Sequence, residues 1–465
     1  MRWYLLFIAL LSSAASAQQP EAFSNLVASY KYVSNPELRY SLNERMEFWQ
    51  IPSVSVSAFK DGQQDWQFSY GLSHKSGQQA SVETRYQVAS ISKPVTTLIV
   101  LRAVEKGLLS LDANVQSLLD PEFAQRVKSP VTLRQLLSHK AGFNHTGYMG
   151  VESDQDLPQL NTFTRSDSTL GVLQQEFIVG EFHYSNGGYI LVQHILEQVY
   201  GKPFDVIAEQ EVFEPLKLAN SSFVQPLSRS DDSPFAHAHR FGVWEPKGWH
   251  KYTARSAAGL WTTPNDLALL LLAVHRSYTG EDESWLTQKS MHQINYPATS
   301  FMGLGFFRHH GVKEGYVFHG GINHGFEAHF VLYPERGTGA VVMTNGQRGD
   351  QLALEIIRAV SITEGWVDYP LNQTEVLKVD VKDLESLVGR YQYDKSFYAD
   401  IFIRNGLLYV QGYQQEAYAL HKVAENQFKP LEFESTFHFE FSKDGKLTGM
   451  TQDAPFYNGF AEKVK

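Results

Sequence analysis

The pattern of apolar and polar positions divides the chain into helical, mixed and strand-rich parts. Between residues 21 and 50, apolar side chains are spaced among charges, which predicts one or more N-terminal helices. Residues 54 to 70 alternate apolar with polar on both sides of Asp61-Gly62, which predicts a β-hairpin. Beyond residue 387, short alternating runs are joined by Asn-Gly and Asp-Gly turns. The end of the chain is therefore predicted to be a small antiparallel β domain, either a barrel or a sandwich.

The most apolar stretch of the chain follows Pro94. Residues 95 to 104 are apolar nearly all round, and a helix that is hydrophobic on every side belongs inside a protein. Because proline cannot donate a backbone hydrogen bond, regular helix is predicted to begin no earlier than about Ile91. Further helices are predicted from the Thr132 capping box to about Gly142, over residues 189 to 199, after Thr263-Pro264 and over 351 to 360, with strands at 86 to 88, 326 to 332 and 339 to 343.

The first residues have the features of an export signal. Met1-Arg2 precedes an apolar run of about eight residues and then Ala15-Ser16-Ala17, which is an A-x-A cleavage site. A run of this length is too short to span a bilayer, and no later segment approaches the ~20 apolar residues that a spanning helix needs. We therefore expect a signal peptide over residues 1–17, cleavage after Ala17, no stable membrane insertion, and a periplasmic or secreted mature protein.

Composition narrows the chemistry. The formal net charge is −10 without any basic run, so no nucleic-acid partner is expected. The absence of cysteine excludes disulfides, thiolate catalysis and zinc sites with cysteine ligands. His237 and His239 would share one face of a strand, but no third ligand is evident nearby, so neither a metal nor a cofactor is expected. No pattern indicates an oligomeric state.

Ser90-Ile91-Ser92-Lys93 is the candidate nucleophile motif. Side chains three residues apart on a helix face the same way, with Cβ atoms ~5–6 Å apart, so an amine at position 93 can take the proton of a hydroxyl at position 90. Since Pro94 sets the helix start, Ser90 is expected on or just before the first turn, near free amides and the positive end of the helix dipole. This four-residue match is weak when taken alone.

Two further motifs can complete a site for acyl transfer. Tyr184 and Asn186 lie at the tip of a predicted loop before a helix, where a phenol and an amide can point into one cleft; ordinary turn chemistry is the alternative. His319-Gly320-Gly321 follows an apolar run, and the glycines let a ligand lie against a strand edge, with an amide near Ile322 facing its carbonyl; a glycine bulge beside a surface histidine is the alternative.

The order of these motifs, S-x-x-K, then Y-x-N, then H-x-G, resembles the serine β-lactamase and penicillin-binding-protein superfamily. More specifically, residues 22 to 362 resemble the class C β-lactamase-related serine hydrolases, and phrases at 133–139, 213–216 and 257–263 agree with this. The resemblance implies an α+β fold, with an antiparallel sheet flanked by helices beside an all-α region. The C-terminal part resembles the small lipocalin-like β-barrels appended to some members, which either cover the cleft or stabilise the fold; we favour the first.

Carried over by motif, the resemblance implies a role for each residue. Ser90 would be the acylated nucleophile, Lys93 its proton partner, and Tyr184 the base and acid. Asn186 would hold the substrate amide, and the amides of Ser90 and Ile322 would form the oxyanion hole beside Gly321. His319 would replace the lysine of K-T-G, and a neutral imidazole favours a substrate carboxylate less than an ammonium does. The implied domains are 22–365 (hydrolase), 366–382 (linker) and 383–465 (β-barrel).

The leading hypothesis is thus an exported serine hydrolase that acts on esters or amides of small molecules or peptides, including D-amino-acid peptides. One alternative is a β-lactamase or DD-carboxypeptidase. Another, of a different class, is a non-catalytic protein that keeps the fold to bind peptidoglycan or peptides.

Overall fold

The structure is a computed structural model that describes residues 20–28, 30–32, 39–144, 150–225, 234–369, 373–393, 397–412, 417–431, 435–454 and 457–464. The predicted signal peptide, residues 1–17, lies outside this part of the chain. No helix among the described residues combines the length and the apolar character needed to cross a membrane.

The regular elements are numbered along the chain. The strands are β1 (Tyr30–Tyr32), β2 (Ser53–Lys60), β3 (Gln63–Gly71), β4 (Tyr86–Gln87), β5 (Val151–Glu152), β6 (His239–Arg240), β7 (Val243–Trp244), β8 (His250–Lys251), β9 (Trp261–Thr262), β10 (Phe307–His309), β11 (Tyr316–Asn323), β12 (Phe326–Tyr333), β13 (Thr338–Thr344), β14 (Thr374–Val376), β15 (Gly389–Gln392), β16 (Tyr398–Arg404), β17 (Leu407–Gly412), β18 (Ala417–Ala424), β19 (Gln427–Lys429), β20 (Thr436–Phe441), β21 (Leu447–Ala454) and β22 (Tyr457–Lys463). The α-helices are α1 (Leu42–Trp49), α2 (Ser92–Glu105), α3 (Pro121–Ala124), α4 (Leu133–Leu137), α5 (Asn186–Tyr200), α6 (Phe204–Ala208), α7 (Glu214–Leu216), α8 (Arg255–Ala258), α9 (Pro264–Thr279), α10 (Gln288–Met291), α11 (Gly349–Thr363) and α12 (Val381–Leu384). Short 3-10 helices span Glu21–Ser24, Ala89–Ile91, Val115–Leu118, Leu160–Thr164, His292–Asn295 and Glu385–Leu387, and Glu209–Phe213 forms a π-helical turn.

A six-stranded antiparallel sheet in the order β10-β11-β12-β13-β2-β3 forms the middle layer. Alternate residues of its strands enter two separate cores, as the pleat requires. On one face Ala328 and Met343 pack with α2, α5 and α9. On the other face Val56 and Val342 pack with α1 and α11. The predicted α+β fold, a helix-flanked antiparallel sheet beside a helical region, is confirmed.

The helix that carries the nucleophile motif lies in the larger of these cores, as its composition predicts. A 3-10 turn over Ala89–Ile91 precedes α2, so Ser90 lies just before regular helix. Ala89 has a φ of 47°, in the left-handed region that costs a residue with a Cβ about 1–2 kcal/mol. The chain thus turns sharply between β4 and α2, and this turn sets the position of Ser90.

Two local predictions need correction. Among the described residues between 21 and 50, only Leu42–Trp49 is α-helical, whereas Tyr30–Tyr32 forms a strand that pairs in parallel with Thr374–Val376. The predicted linker therefore contains a strand, and no local period showed it because its partner is more than 300 residues away in sequence. The helix that opens at the Thr132 capping box ends at Leu137, because His139 adopts a φ of 58°.

The C-terminal part is a closed antiparallel barrel of eight strands, β15 to β22 in sequence order. This confirms the predicted β-barrel. Asn405 and Gly406 join β16 to β17 with φ values of 51° and 77°, as expected of a two-residue hairpin turn.

The barrel packs beside the layer that contains α1 and α11. His421 stacks on Tyr30 with ring centroids 5.8 Å apart, the Leu377 amide donates to the Lys422 carbonyl, and the Arg348 guanidinium lies 5.7 Å from the Tyr418 ring. These contacts involve none of the predicted site residues. Covering of the cleft by the barrel stays a prediction.

Candidate active site

Ser90 and Lys93 are in direct contact at the N-terminal end of α2. Lys93 Nζ donates hydrogen bonds of 3.0 Å to Ser90 Oγ and of 3.0 Å to the Ala257 carbonyl oxygen. The Lys93 side chain is fully buried, while Ser90 is partly exposed. The Ala257 carbonyl and the Ser90 hydroxyl thus hold the Lys93 amine in place, and a ligand can reach the Ser90 hydroxyl from solvent.

Burial governs the protonation of Lys93. Removing an ammonium from water disfavours its charged form, and this lowers the pKa of Lys93 from 10.5 to about 7. No carboxylate is among the groups that shift it. A substantial fraction of the side chain is therefore a neutral amine at neutral pH, which can accept a proton from a neighbouring hydroxyl.

Tyr184 lies over the amine and reaches the same hydroxyl. Lys93 Nζ is 4.9 Å from the centre of the Tyr184 ring. Burial raises the pKa of Tyr184 above its ordinary value, and a hydrogen bond with the Ser90 side chain opposes part of this rise. The phenol is thus protonated at neutral pH, with its hydroxyl close to Ser90.

The loop that carries Tyr184 is held by His139, which the motif reading did not assign to the site. The Ser185 amide donates a 3.0 Å hydrogen bond to His139 Nδ1, and the His139 and Tyr184 rings lie 4.3 Å apart. The His139 carbonyl also accepts a hydrogen bond from the His183 amide. The left-handed conformation of His139 thus ends α4 and turns its imidazole towards this loop. The only sequence signal for it was its place in the 133–139 phrase.

Asn186 is the first residue of α5 and points an unsatisfied polar atom inward. Ser185 caps this helix by accepting a hydrogen bond from the Gly188 amide, which fixes the direction of the first turn. The Asn186 Oδ1 atom is buried and has no hydrogen-bond partner among the described residues. Leaving such an oxygen unpaired costs about 1–3 kcal/mol, so it is available to a donor on a ligand.

His319 lies on strand β11, beside the rings of Tyr184 and Phe307. Its ring is 6.4 Å from that of Tyr184 and 5.0 Å from that of Phe307, and its exposed fraction is 1%. Burial, together with a smaller contribution from the nearby Lys93, lowers the pKa of His319 to about 3. Nδ1 lies 2.6 Å from the Gly320 carbonyl oxygen, whereas Nε2 has no partner among the described residues. The imidazole is therefore neutral.

Gly321 brings strand β11 against the nucleophile turn. A Cβ at this position would lie 2.1 Å from the Val88 carbonyl oxygen and 3.1 Å from the Ser90 amide nitrogen, so only glycine permits the approach. From His319 onward, β11 has β12 as its only strand neighbour in the described sheet. The Ile322 side chain is 59% exposed and lies on the opposite face from His319. Only its backbone is therefore suited to the site.

The structure thus brings together Ser90, Lys93, Tyr184, His319 and Gly321, with Asn186 beside Tyr184 on the same loop. By contrast, a surface cavity of about 340 Å³, lined by residues that include Arg102, Lys217 and Trp285, lies near the other end of α2 and contains none of these residues. Chemically, the group offers a hydroxyl, an amine that is partly neutral at neutral pH, a phenol and a neutral imidazole.

A family model described as Beta-lactamase matches residues 42–363. The chain belongs to the beta-lactamase family, as the motif order predicts. Among curated proteins, Protein flp of Staphylococcus aureus (strain N315) is 25% identical over 318 residues, which cover 63% of this chain and 60% of that protein. A probable fimbrial assembly protein FimD of Dichelobacter nodosus is 26% identical over 246 residues, covering 50% of this chain and 57% of that protein. The chain thus spans about 60% of the length of the curated relatives it matches.

Solved structures share the fold. An octameric penicillin-binding protein homologue from Pyrococcus abyssi has a TM-score of 0.62 and 22% identity, covering 90% of this chain and 98% of that chain. The D-amino acid amidase from Ochrobactrum anthropi SV3, complexed with L-phenylalanine amide, has a TM-score of 0.56 and 17% identity, covering 70% of this chain and 97% of that chain. Because it covers 90% of this chain, the former match extends beyond the residues that the family model matches.

Proposed function

We propose that this protein is an exported serine hydrolase that forms an acyl-enzyme on Ser90 and hydrolyses esters or amides. The observation that carries the proposal is the buried Lys93 amine, 3.0 Å from Ser90 Oγ and with a pKa of about 7. An activated serine needs an adjacent base that is neutral at the working pH, and a lysine normally is not.

The proton balance of acylation follows from the three polar side chains. Ser90 Oγ attacks the substrate carbonyl carbon and its proton passes to neutral Lys93. Tyr184 gives its proton to the departing alcohol or amine as the bond to the carbonyl carbon breaks. The tyrosinate left behind then takes the proton from the Lys93 ammonium, which restores both groups. Because the Lys93 amine lies 4.9 Å from the centre of the Tyr184 ring, we expect the pair to titrate as a unit.

Deacylation reverses these roles. A water molecule attacks the ester on Ser90, gives its proton to the Lys93–Tyr184 pair, and Ser90 leaves with a proton returned by that pair. We assign the amides of Ser90 and Ile322 to the developing oxyanion, because Gly321 permits the close approach of their backbones. One such donor is worth about 10²–10³ in turnover. Asn186 would orient the substrate amide.

His319 bears on the substrate class. A neutral imidazole gives a substrate carboxylate less attraction than the ammonium of a K-T-G lysine would. This favours esters and amides, including those of D-amino acids, over β-lactams and free peptide C-termini. The structural likeness to a D-amino acid amidase agrees with this choice. The site would accept small-molecule or peptide substrates, with no cofactor.

Activity profiling of the full chain tests the proposal. We expect turnover of short-chain p-nitrophenyl esters or D-amino-acid p-nitroanilides that is lost in Ser90→Ala. Ser92→Ala is the matched control, since it removes a nearby buried hydroxyl that accepts a hydrogen bond from the Leu260 amide and that forms no hydrogen bond with the candidate site residues the structure describes. Turnover that survives in Ser90→Ala, or is lost equally in both variants, would refute Ser90 as the nucleophile.

A second candidate is a β-lactamase or DD-carboxypeptidase. It is favoured by the family match together with the unpaired Asn186 Oδ1, which can accept the amide proton of a β-lactam side chain. Nitrocefin turnover that exceeds ester turnover would select it. If no substrate is turned over and no probe acylates Ser90, the remaining candidate is a non-catalytic binding protein.

A further inference from the structure

Two histidines and one glutamate lie close together where the β11–β12 turn contacts residues 239 to 251. Glu245 follows β7, His250 begins β8, and His324 lies in the turn after β11. One side-chain nitrogen or oxygen from each of the three lies within 4.8 Å of the others. These residues come from separate parts of the chain, so the fold alone brings them together.

Backbone contacts hold the three side chains in place. The Glu245 amide donates to the Ala238 carbonyl, and the His324 amide donates a 2.9 Å hydrogen bond to the Tyr252 hydroxyl. His250 pairs across β5 and β8 with Glu152, which lies in the long connection before α5. The cluster thus brings together the residue after β7, the start of β8 and the turn after β11.

The chemistry of the three donor groups suits a transition-metal ion. His324 Nε2 is hydrogen-bonded to Glu245 Oε1, and both side chains are largely buried. The His250 and His324 rings lie 3.9 Å apart, and His324 Nδ1 is buried without a partner among the described residues. Two imidazoles and one carboxylate are a common protein ligand set for Zn²⁺, which leaves a fourth position for water.

We propose that Glu245, His250 and His324 bind one zinc ion beside the candidate active site. The ion would take the place of the hydrogen atom between His324 Nε2 and Glu245 Oε1. A bound metal lies in the plane of each imidazole that holds it, whereas these two rings are parallel to within 6°. Binding therefore requires one of the two rings to rotate; the His250 side chain is the more exposed of the two.

The position of the ion suggests what it does. His250 and the catalytic lysine are connected through hydrogen bonds: Gln87 Nε2 donates to the His250 carbonyl, Asn323 Nδ2 donates to Gln87 Oε1 and to the Ala258 carbonyl, and Lys93 donates to the adjacent Ala257. Zinc would thus fix the end of β11, which carries His319 and Gly321, against the segment that contains His250. It would act as a positioning element.

Metal binding to the untagged full chain tests the proposal. After EDTA treatment and dialysis, one equivalent of Zn²⁺ should be taken up, retained on dialysis and accompanied by a rise in Tm. X-ray absorption should show two imidazole nitrogens and at least one oxygen around zinc. His250→Ala and His324→Ala should lose the bound equivalent. Glu245→Gln, which keeps a hydrogen-bonding group beside His324, should weaken binding at least tenfold.

Two control variants separate this site from other histidines. His310→Ala removes an exposed histidine elsewhere, and His237→Ala removes a ring that lies 3.6 Å from His74; both should retain the equivalent. Absence of tight zinc, or its retention in both His250→Ala and Glu245→Gln, would overturn the proposal. Loss only in His237→Ala would also overturn it. If His324→Ala does not fold, the other two ligand variants decide. These readouts are independent of hydrolase activity.

Discussion

The buried amine of Lys93 makes the pH dependence of acylation a sharp test. Its pKa falls from 10.5 to about 7 because burial disfavours the ammonium. At ~1.4 kcal/mol per factor of ten, this difference corresponds to ~5 kcal/mol between the two protonation states. Only the neutral amine can accept the Ser90 proton. Acylation should therefore increase about tenfold per pH unit below pH 7 and level off above it, so that at pH 5 it is about 100-fold slower than at pH 9.

The assay is the second-order rate of inactivation by a fluorophosphonate between pH 5 and 10, at constant ionic strength. Lys93→Arg is the matched variant, because it keeps a positive charge that does not titrate in this range. This variant should not be inactivated by the fluorophosphonate at any of these pH values. A wild-type rate that is constant from pH 5 to 9, or that rises only near pH 10, would refute a neutral Lys93 as the proton acceptor.

Four other outcomes follow from the structure. Gly321→Ala should lower kcat/KM at least ~100-fold, because its Cβ would meet the backbone carbonyl of Val88. Gly320→Ala is the control: its Cβ would meet the His329 imidazole at 3.1 Å, and its kcat/KM should stay within about tenfold of wild type. His319→Lys should raise the ratio of penicillin acylation to ester turnover about tenfold, since it restores an ammonium. Arg45→Met should lower the free energy of unfolding by about 3–5 kcal/mol, because it leaves the buried Glu355 without the guanidinium that lies 2.7 Å away, with only the Trp49 indole among its hydrogen-bond donors in the described part of the chain. Lys93→Met should raise Tm at pH 6, because the pKa of Lys93 is lower in the folded state than in the unfolded state. The free-energy cost of burying the Lys93 ammonium is fully present below pH 7 and disappears as pH rises towards 10.5.

Each of these outcomes has a result that contradicts it. Equal activity loss in the two glycine variants would show that contact with the Ser90 turn is not the cause. An unchanged substrate ratio in the lysine variant would remove His319 from substrate choice. If urea unfolding gives Arg45→Met the same free energy of unfolding as wild type, water must solvate the Glu355 carboxylate. If Lys93→Met and wild type differ in Tm by the same amount at pH 6 and at pH 10, burial of the Lys93 ammonium does not destabilise the protein.

Elements with a local signal were predictable from the sequence. Pro94 and the apolar run after it locate α2, and the Asn405-Gly406 turn reveals a hairpin of the barrel. The candidate site was predictable for a different reason: Ser90 and Lys93 are three residues apart, so helical geometry alone brings them into contact. The other motifs were located by their order along the chain.

Features that depend on distant contacts were not predictable. The strand Tyr30–Tyr32 exists only because Thr374–Val376 lies beside it. His139 gave no functional signal, since its role depends on a left-handed backbone and on the later loop that it holds. The cluster of Glu245 and His324 was missed for the same reason, because about 80 residues separate them in sequence and only the β11–β12 turn brings them together.

The central claim is that Ser90 becomes acylated, and intact-protein and peptide mass spectrometry tests it most directly. After incubation with a fluorophosphonate at pH 8, one adduct per chain should appear on the peptide that contains Ser90. The adduct should be absent in Ser90→Ala and present in Ser92→Ala. An enzyme that turns over esters while Ser90 stays unmodified, or an adduct of equal yield on another serine in Ser90→Ala, would contradict the account.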